Sequence, residues 1–472
     1  MSENPLRAAY WFGKVDPRPL AAFRILFGLT LLHDLVNYTR DLRAFLADDG
    51  VLPRGVQVAA RQWSVFNLTG NLGVIELIYG LGVLCVLAFA LGYRAQVAAF
   101  FGWLFLTSLH VRNLYVTDGG DDLARYLLFL SIFAQTDACW SVRAWLSRRV
   151  PEGVPAYGLR FLQLHLALLY FVAARLKFRS GWLTHNVIYQ CLQLSGFVRP
   201  LGRVLLQFPG ACRGSTLITL VLEFAFAFLA FSPWQVGPCR ALAIFCGAAV
   251  QLGILLTMRV GIFTESMLSA MALFLHPAWL DYVAQRRAAR RGSTFTPPVI
   301  AKNDALTWSE ALRPHVHTIA VLYLGFNFIT LAWGPFAARR FPLPGWVLAE
   351  RQWLWLDQPF GLFDVVYPIP RWHGEATTQS GARVDALAVA IPDLVPVVRW
   401  RFSRWYKFTF KGRERPIHFP ELAAYICRAY PEQTGERLRE ITLTEVLTPP
   451  ALPDLPQGEP VTHERWHQVC AN

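Results

Sequence analysis

The sequence predicts an all-α polytopic transmembrane helix bundle of about nine spans, with a small C-terminal α+β extramembrane domain. Three observations predict it. First, of 472 residues 54% are hydrophobic and only 16% charged, where a soluble domain carries about a quarter; the mean hydropathy is +0.32. Second, apolar runs long enough to cross the roughly 30 Å hydrocarbon layer recur along the chain. Third, the composition changes after Gly334 to scattered apolar residues and many prolines.

The expected spans lie near 20–38, 72–92, 95–112, 122–139, 158–178, 214–232, 239–258, 260–276 and 315–334. The first begins at Leu20 without a small-residue cleavage site, so it is not read as a removed signal peptide. No internal repeat is visible, which speaks against inverted-repeat transporters. The formal charge of +13 fits arginine in loops beside lipid headgroups better than nucleic acid. Lys and Arg are in weak excess on the N-terminal side, mostly through RRAARR at 286–291. That bias favours a cytoplasmic (inner) membrane protein with its N-terminus inside and its C-terminal domain outside. No CxxC or His/Cys metal pattern occurs among eight cysteines. Cys191 with Cys212, or Cys427 with Cys470, are the disulfides considered if their side is oxidising.

Residues 1–334 form the expected membrane domain and 335–472 the extramembrane one. In the latter, RWRFSRWYKFTFK (399–411) alternates like a strand, with Arg399, Arg401 and Lys407 on a basic outer face beside lipid. A helix-like stretch at 419–430 and a second alternating run at 438–447 follow.

Ionisable residues inside apolar runs are the functional candidates, because charge in a membrane is costly. Arg24, in PLAAFRILFGL, has two readings: snorkelling to the interface, or pairing with an acid of another helix. Asp121 and Asp122 follow Gly119 and Gly120 at the head of an apolar helix, where the dipole favours acids; His110, Arg112 and Asn113 precede them. Leu166, Tyr170, Ala173 and Lys177 share one helical stripe, and Lys177 either snorkels beside Trp182 or acts as a desolvated base. Glu223 is a lone acid needing a partner or a proton, and Gln251 and Glu265 flank the turn between the seventh and eighth spans.

Taken in order, these segments resemble the HTTM (horizontally transferred transmembrane) family, which includes the vitamin K-dependent γ-glutamyl carboxylases. The likeness rests on PLAAFRILFGLTLL, LADDGVLPRG, HVRNLYVTDGGDDLARYLLFLSIFAQTDACWSV, YFVAARLKFRSGW, LEFAFAFLAF and GIFTESMLSAMALF. The resemblance implies that Lys177, five residues before Trp182, is a base toward a reduced quinone such as vitamin K hydroquinone. Asp121 and Asp122 are the other catalytic candidates. Arg24, His110, Arg112, Tyr170, Trp182, Glu223 and Gln251 would line the quinone and substrate pocket. The implied reaction consumes O2 and CO2, forms the quinone epoxide and carboxylates a glutamyl residue of a peptide or protein. The chain departs from the animal carboxylases in having Asp122 and Gln251 where they carry histidines, and a shortened lumenal region. The runner-up class is a non-catalytic scaffold, immunity or secretion-assisting factor, in which Lys177, Asp121 and Glu223 form a structural ion network. Under the enzyme reading, Lys177 shares a lipid-accessible cavity with Asp121 or Asp122.

Overall fold

The computed structural model describes residues 7–56, 63–148, 153–194, 196–294, 297, 315–338, 340–356, 368–394, 403–412, 418–451 and 458–470. Six helices are long and apolar enough to cross a membrane: Arg18–Leu46, Leu72–Leu91, Ala156–Arg179, Pro209–Leu229, Val236–Thr257 and His317–Ala337. A seventh is added if Phe263–Phe274 and Pro277–Arg290, bent by 86° at their junction, count as one span. The expectation of nine is therefore not met by length and composition. The third expected span is the helix Ala95–Arg112, only 18 residues long, and the fourth is Gly119–Ser131, with 13. At 1.5 Å per residue the latter reaches about 20 Å, less than the hydrocarbon thickness. Both lie largely buried inside the bundle, where polar residues such as Ser108, His110 and Arg125 find partners within the protein.

Local chemistry sets the helix ends. Asn71 caps Leu72–Leu91 by accepting from the Val74 amide, and Gly92, at φ +72°, takes the left-handed turn that stops it. The helix Ala156–Arg179 is the central one: 78% of its apolar stretch is buried, against 28% for Pro209–Leu229.

The two ends of the bundle are distinguishable. At the N-terminal end, Lys14–Val15 pairs antiparallel with Val154–Pro155, and Arg18 bonds Asp281 at 2.7 Å. At the far end, Val198 and Met258 form a bridge. The last membrane helix runs alongside the central one. Tyr157 and His317 meet at 3.1 Å near one end, and Arg175 donates to the Pro335 carbonyl at 3.0 Å near the other. The C-terminal residues thus leave the bundle at the end opposite the N-terminus.

Those residues build a four-stranded antiparallel sheet in the order Arg383–Asp385, Ile369–Thr378, Leu438–Thr448, Val461–Val469. The helix Phe419–Thr434 packs on it, tied by a Cys427–Cys470 disulfide. Cys191 and Cys212 stay free. The expected strand at 399–411 is corrected. Arg404–Gly412 is a helix, while Arg399 and Arg401 lie outside the described residues. The same residues also satisfy the 3.6-residue period, with Arg404, Lys407 and Lys411 on one face. Packing against the end of the bundle selects that period, and the basic face turns inward rather than toward lipid.

Candidate functional site

Lys177 sits near the C-terminal end of the central helix and is 6% exposed. Its ammonium pairs with the Glu223 carboxylate on Pro209–Leu229. The indole of Trp182 lies 4.9 Å away, in cation–π range. A turn through Gly181, at φ +72°, brings Trp182 back over the helix end, its amide donating to the Lys177 carbonyl at 3.4 Å. Two turns earlier Tyr170 donates to the Gly247 carbonyl at 3.2 Å and accepts from Gln251 at 3.0 Å. Its ring packs on Phe226, three residues beyond Glu223, at 4.3 Å. Five of the sequence candidates, Tyr170, Lys177, Trp182, Glu223 and Gln251, therefore converge where three helices meet.

Lys177 and Trp182 border a cavity of about 260 Å³ whose other walls are mostly apolar, including Leu222, Val250 and Ile254. Ile218 on its rim is 57% exposed on an apolar membrane helix, so the cavity opens toward lipid. Of the residues expected at the pocket only Lys177 and Trp182 line it; Tyr170, Glu223 and Gln251 do not, nor do Arg24, His110, Arg112, Asp121 and Asp122. Cys191 does, but burial pushes its thiol up to about 12, which removes it as a thiolate nucleophile. One amine, one carboxylate and an apolar volume remain. This set can hold a proton beside an amphiphile.

The second group of charge is built on the Asp118–Asp122 turn. Asp118 caps the helix Gly119–Ser131, accepting from the Gly120 amide at 2.7 Å, while Asp121 accepts from the Asp118 amide at 2.8 Å. Gly120 permits close approach, since a Cβ there would stand 2.6 Å from the Phe263 nitrogen. Arg404 reaches in from the C-terminal domain. It donates to both Asp121 oxygens at 3.0 Å and to both Asp34 oxygens at 3.0 and 2.9 Å. His110 stands 3.4 Å from Asp121 and 2.9 Å from Arg125, which pairs in turn with Asp122.

Burial opposes ionisation of Asp121, but Arg404 and His110 hold its carboxyl below the usual range. Asp118 is pushed up to about 6, because burial and the Asp121 charge outweigh the pull of Lys407 and Arg404. Two other candidates serve as scaffolding. Arg24 is fully buried and donates to the carbonyls of Ala90, Thr136 and Trp140, taking neither of its two expected roles. Arg112 donates to the Leu46 carbonyl at 2.8 Å.

The HTTM domain profile matches residues 12–279. The chain belongs to the HTTM domain family. No curated protein and no solved structure matches it.

The HTTM region contains Lys177, Glu223 and Gln251 as well as Asp34 and Asp121, whereas Arg404 lies beyond it. The Lys177 cavity is thus lined by the HTTM domain alone, and the acid cluster is completed from outside it. Sequence reasoning missed Asp34 and Arg404. Asp34 was visible as an acid within the first apolar run. Arg404 was hidden by the strand reading, although its helical stripe with Lys407 and Lys411 was available.

Proposed function

We propose that this HTTM protein is a membrane enzyme in which Lys177 is the base toward a lipid-soluble reduced quinone, coupled to carboxylation of glutamyl residues in a peptide or protein. The observation that carries the reading is a buried lysine with a carboxylate partner on the wall of a lipid-facing apolar cavity. Leu222, Val250 and Ile254 suit a ring and an isoprenoid tail, and Trp182 offers an aromatic face. A bound reduced quinone supplies an acidic phenolic proton and the electrons that O2 takes up, with CO2 as the second gas. The chain's own part is to accept and hold a proton. Glu223 is in position to relieve Lys177 of its proton so that the free amine faces the cavity. Tyr170 and Gln251 support the acid-bearing helix from behind. Asp121 and Asp122 then act by holding the far end of the bundle together.

Under this reading the C-terminal domain is extracytoplasmic, in keeping with the Cys427–Cys470 disulfide.

The test uses purified protein in detergent with reduced naphthoquinone, 14C-bicarbonate and glutamyl peptides. Label incorporation and epoxide formation are expected from the wild type and absent in Lys177→Ala. A folded wild type giving neither would favour the scaffold reading, whose own support is that Lys177 is already paired.

A further inference from the structure

The helix Pro277–Arg290 has no buried residue. It leaves Phe263–Phe274 at 86°, so it runs across the N-terminal end of the bundle rather than along it. Its start is fixed there by the Arg18–Asp281 bond of 2.7 Å, at the mouth of the first span. The first half exposes Tyr282 and Val283. The second half and the residue after it carry Arg286, Arg287, Arg290 and Arg291, all exposed.

Among the described residues, acids at this end are already matched: Asp16 and Asp281 bond Arg18, and Asp137 bonds Arg143. Among the described residues no carboxylate pairs with the four arginines; Arg286 instead lies over the Tyr282 ring at 4.8 Å. The same end of the bundle exposes Trp145 (77%) and Trp234 (79%), which marks the depth of the headgroup layer.

The geometry points to Pro277–Arg290 as an in-plane helix that docks on the anionic headgroups of the leaflet at the N-terminal end of the bundle. Tyr282 and Val283 sit at the acyl boundary, and the four arginines bind lipid phosphates. Charge complementarity decides the occupant. An apolar partner helix would leave four arginines unmatched, while an anionic leaflet satisfies both halves of the helix. The bent pair is then one short crossing followed by a surface helix.

Full-length protein reconstituted in nanodiscs of mixed phosphatidylcholine and phosphatidylglycerol tests this, with retained lipids counted by native mass spectrometry. The wild type should retain phosphatidylglycerol preferentially. Replacing all four arginines by glutamine should reduce that preference by about tenfold or more, since each basic residue near an anionic surface contributes about a fivefold factor. Replacement by lysine should keep most of it. Arg203→Gln/Arg213→Gln at the opposite end should leave it unchanged. Because the helix buries no residue, the glutamine variant should match the wild type in thermal melting and elution volume. A wild type without lipid preference, or a folded glutamine variant that keeps it, overturns the proposal.

Discussion

Lys177 and Arg404 are both buried cations held by carboxylates toward the same end of the bundle, 6% and 7% exposed. Their surroundings differ in one respect that decides what each can do. Arg404 spans two carboxylates with the two terminal nitrogens of its guanidinium and lies 4.8 Å over the Tyr38 ring, so both of those nitrogens are engaged within protein. Lys177 has one carboxylate, one indole face, and an open apolar volume of about 260 Å³ beside it. A saturated ion cluster is a tie. An ion pair bordering an apolar cavity has a side open to a ligand, and the proposed function rests on that side.

The largest effect should come from cutting the tie. Arg404→Ala leaves Asp34 and Asp121 buried without their cation. Removing one member of such a cluster costs about 3–5 kcal/mol, read as a fall in detergent Tm and earlier proteolysis of the C-terminal domain. Arg404→Lys should recover less than half, because an ammonium cannot reproduce the two-armed geometry. A near-neutral Arg404→Ala would erase the distinction between the two regions.

At the cavity the expected losses are smaller, because only one carboxylate is orphaned there and Lys177 borders an open volume. Lys177→Met and Glu223→Gln should each cost about 2 kcal/mol, and the double variant should lie within about 1 kcal/mol of the wild type. Simple additivity in the melting temperatures would mean that the pair is not coupled.

The closed cluster also carries a pH signature. Burial pushes the Asp118 carboxyl up to about 6 from its ordinary 3.8, so the folded state binds its proton more tightly. Stability therefore declines as pH rises from about 4 to 6 and is level above that. Asp121, shifted down, works oppositely and withdraws its stabilisation only on stronger acidification. Asp118→Asn keeps a side-chain cap but should flatten the fall of Tm between pH 4 and 6. An unchanged slope would place the titration elsewhere.

The two regions also differ in how far they could be read from the chain. The Lys177 stripe was legible because helical periodicity is local: Tyr170 and Lys177 share a face whatever surrounds them, and Glu223 stands out in its apolar run. The Arg404–Asp34 contact joins residues 370 apart, and neither carries a local mark of the other. Alternation of Arg and aromatic residues at 399–411 fits both periods, and only docking on the bundle decides between them. Hydropathy likewise overcounted long crossings. It cannot separate lipid-facing apolar residues from those of the short inner helix Gly119–Ser131, nearly all of which face protein.

The smallest effect on stability is the sharpest probe of the open region. Ala249 lines the cavity on Val236–Thr257, where a larger side chain would extend into the open volume. Ala249→Leu should therefore change Tm by little, within about 1 kcal/mol, because filling space strains a core only when no space exists. It should nevertheless weaken binding of reduced naphthoquinone about tenfold or more, measured by equilibrium dialysis, since the ligand and the leucine compete for one volume. Lys177 and Glu223 stay paired in this variant, so loss of binding would report volume alone. A marked drop in stability would show that the cavity walls are already closed on each other. Unimpaired binding in a stable variant would move the ligand away from Lys177.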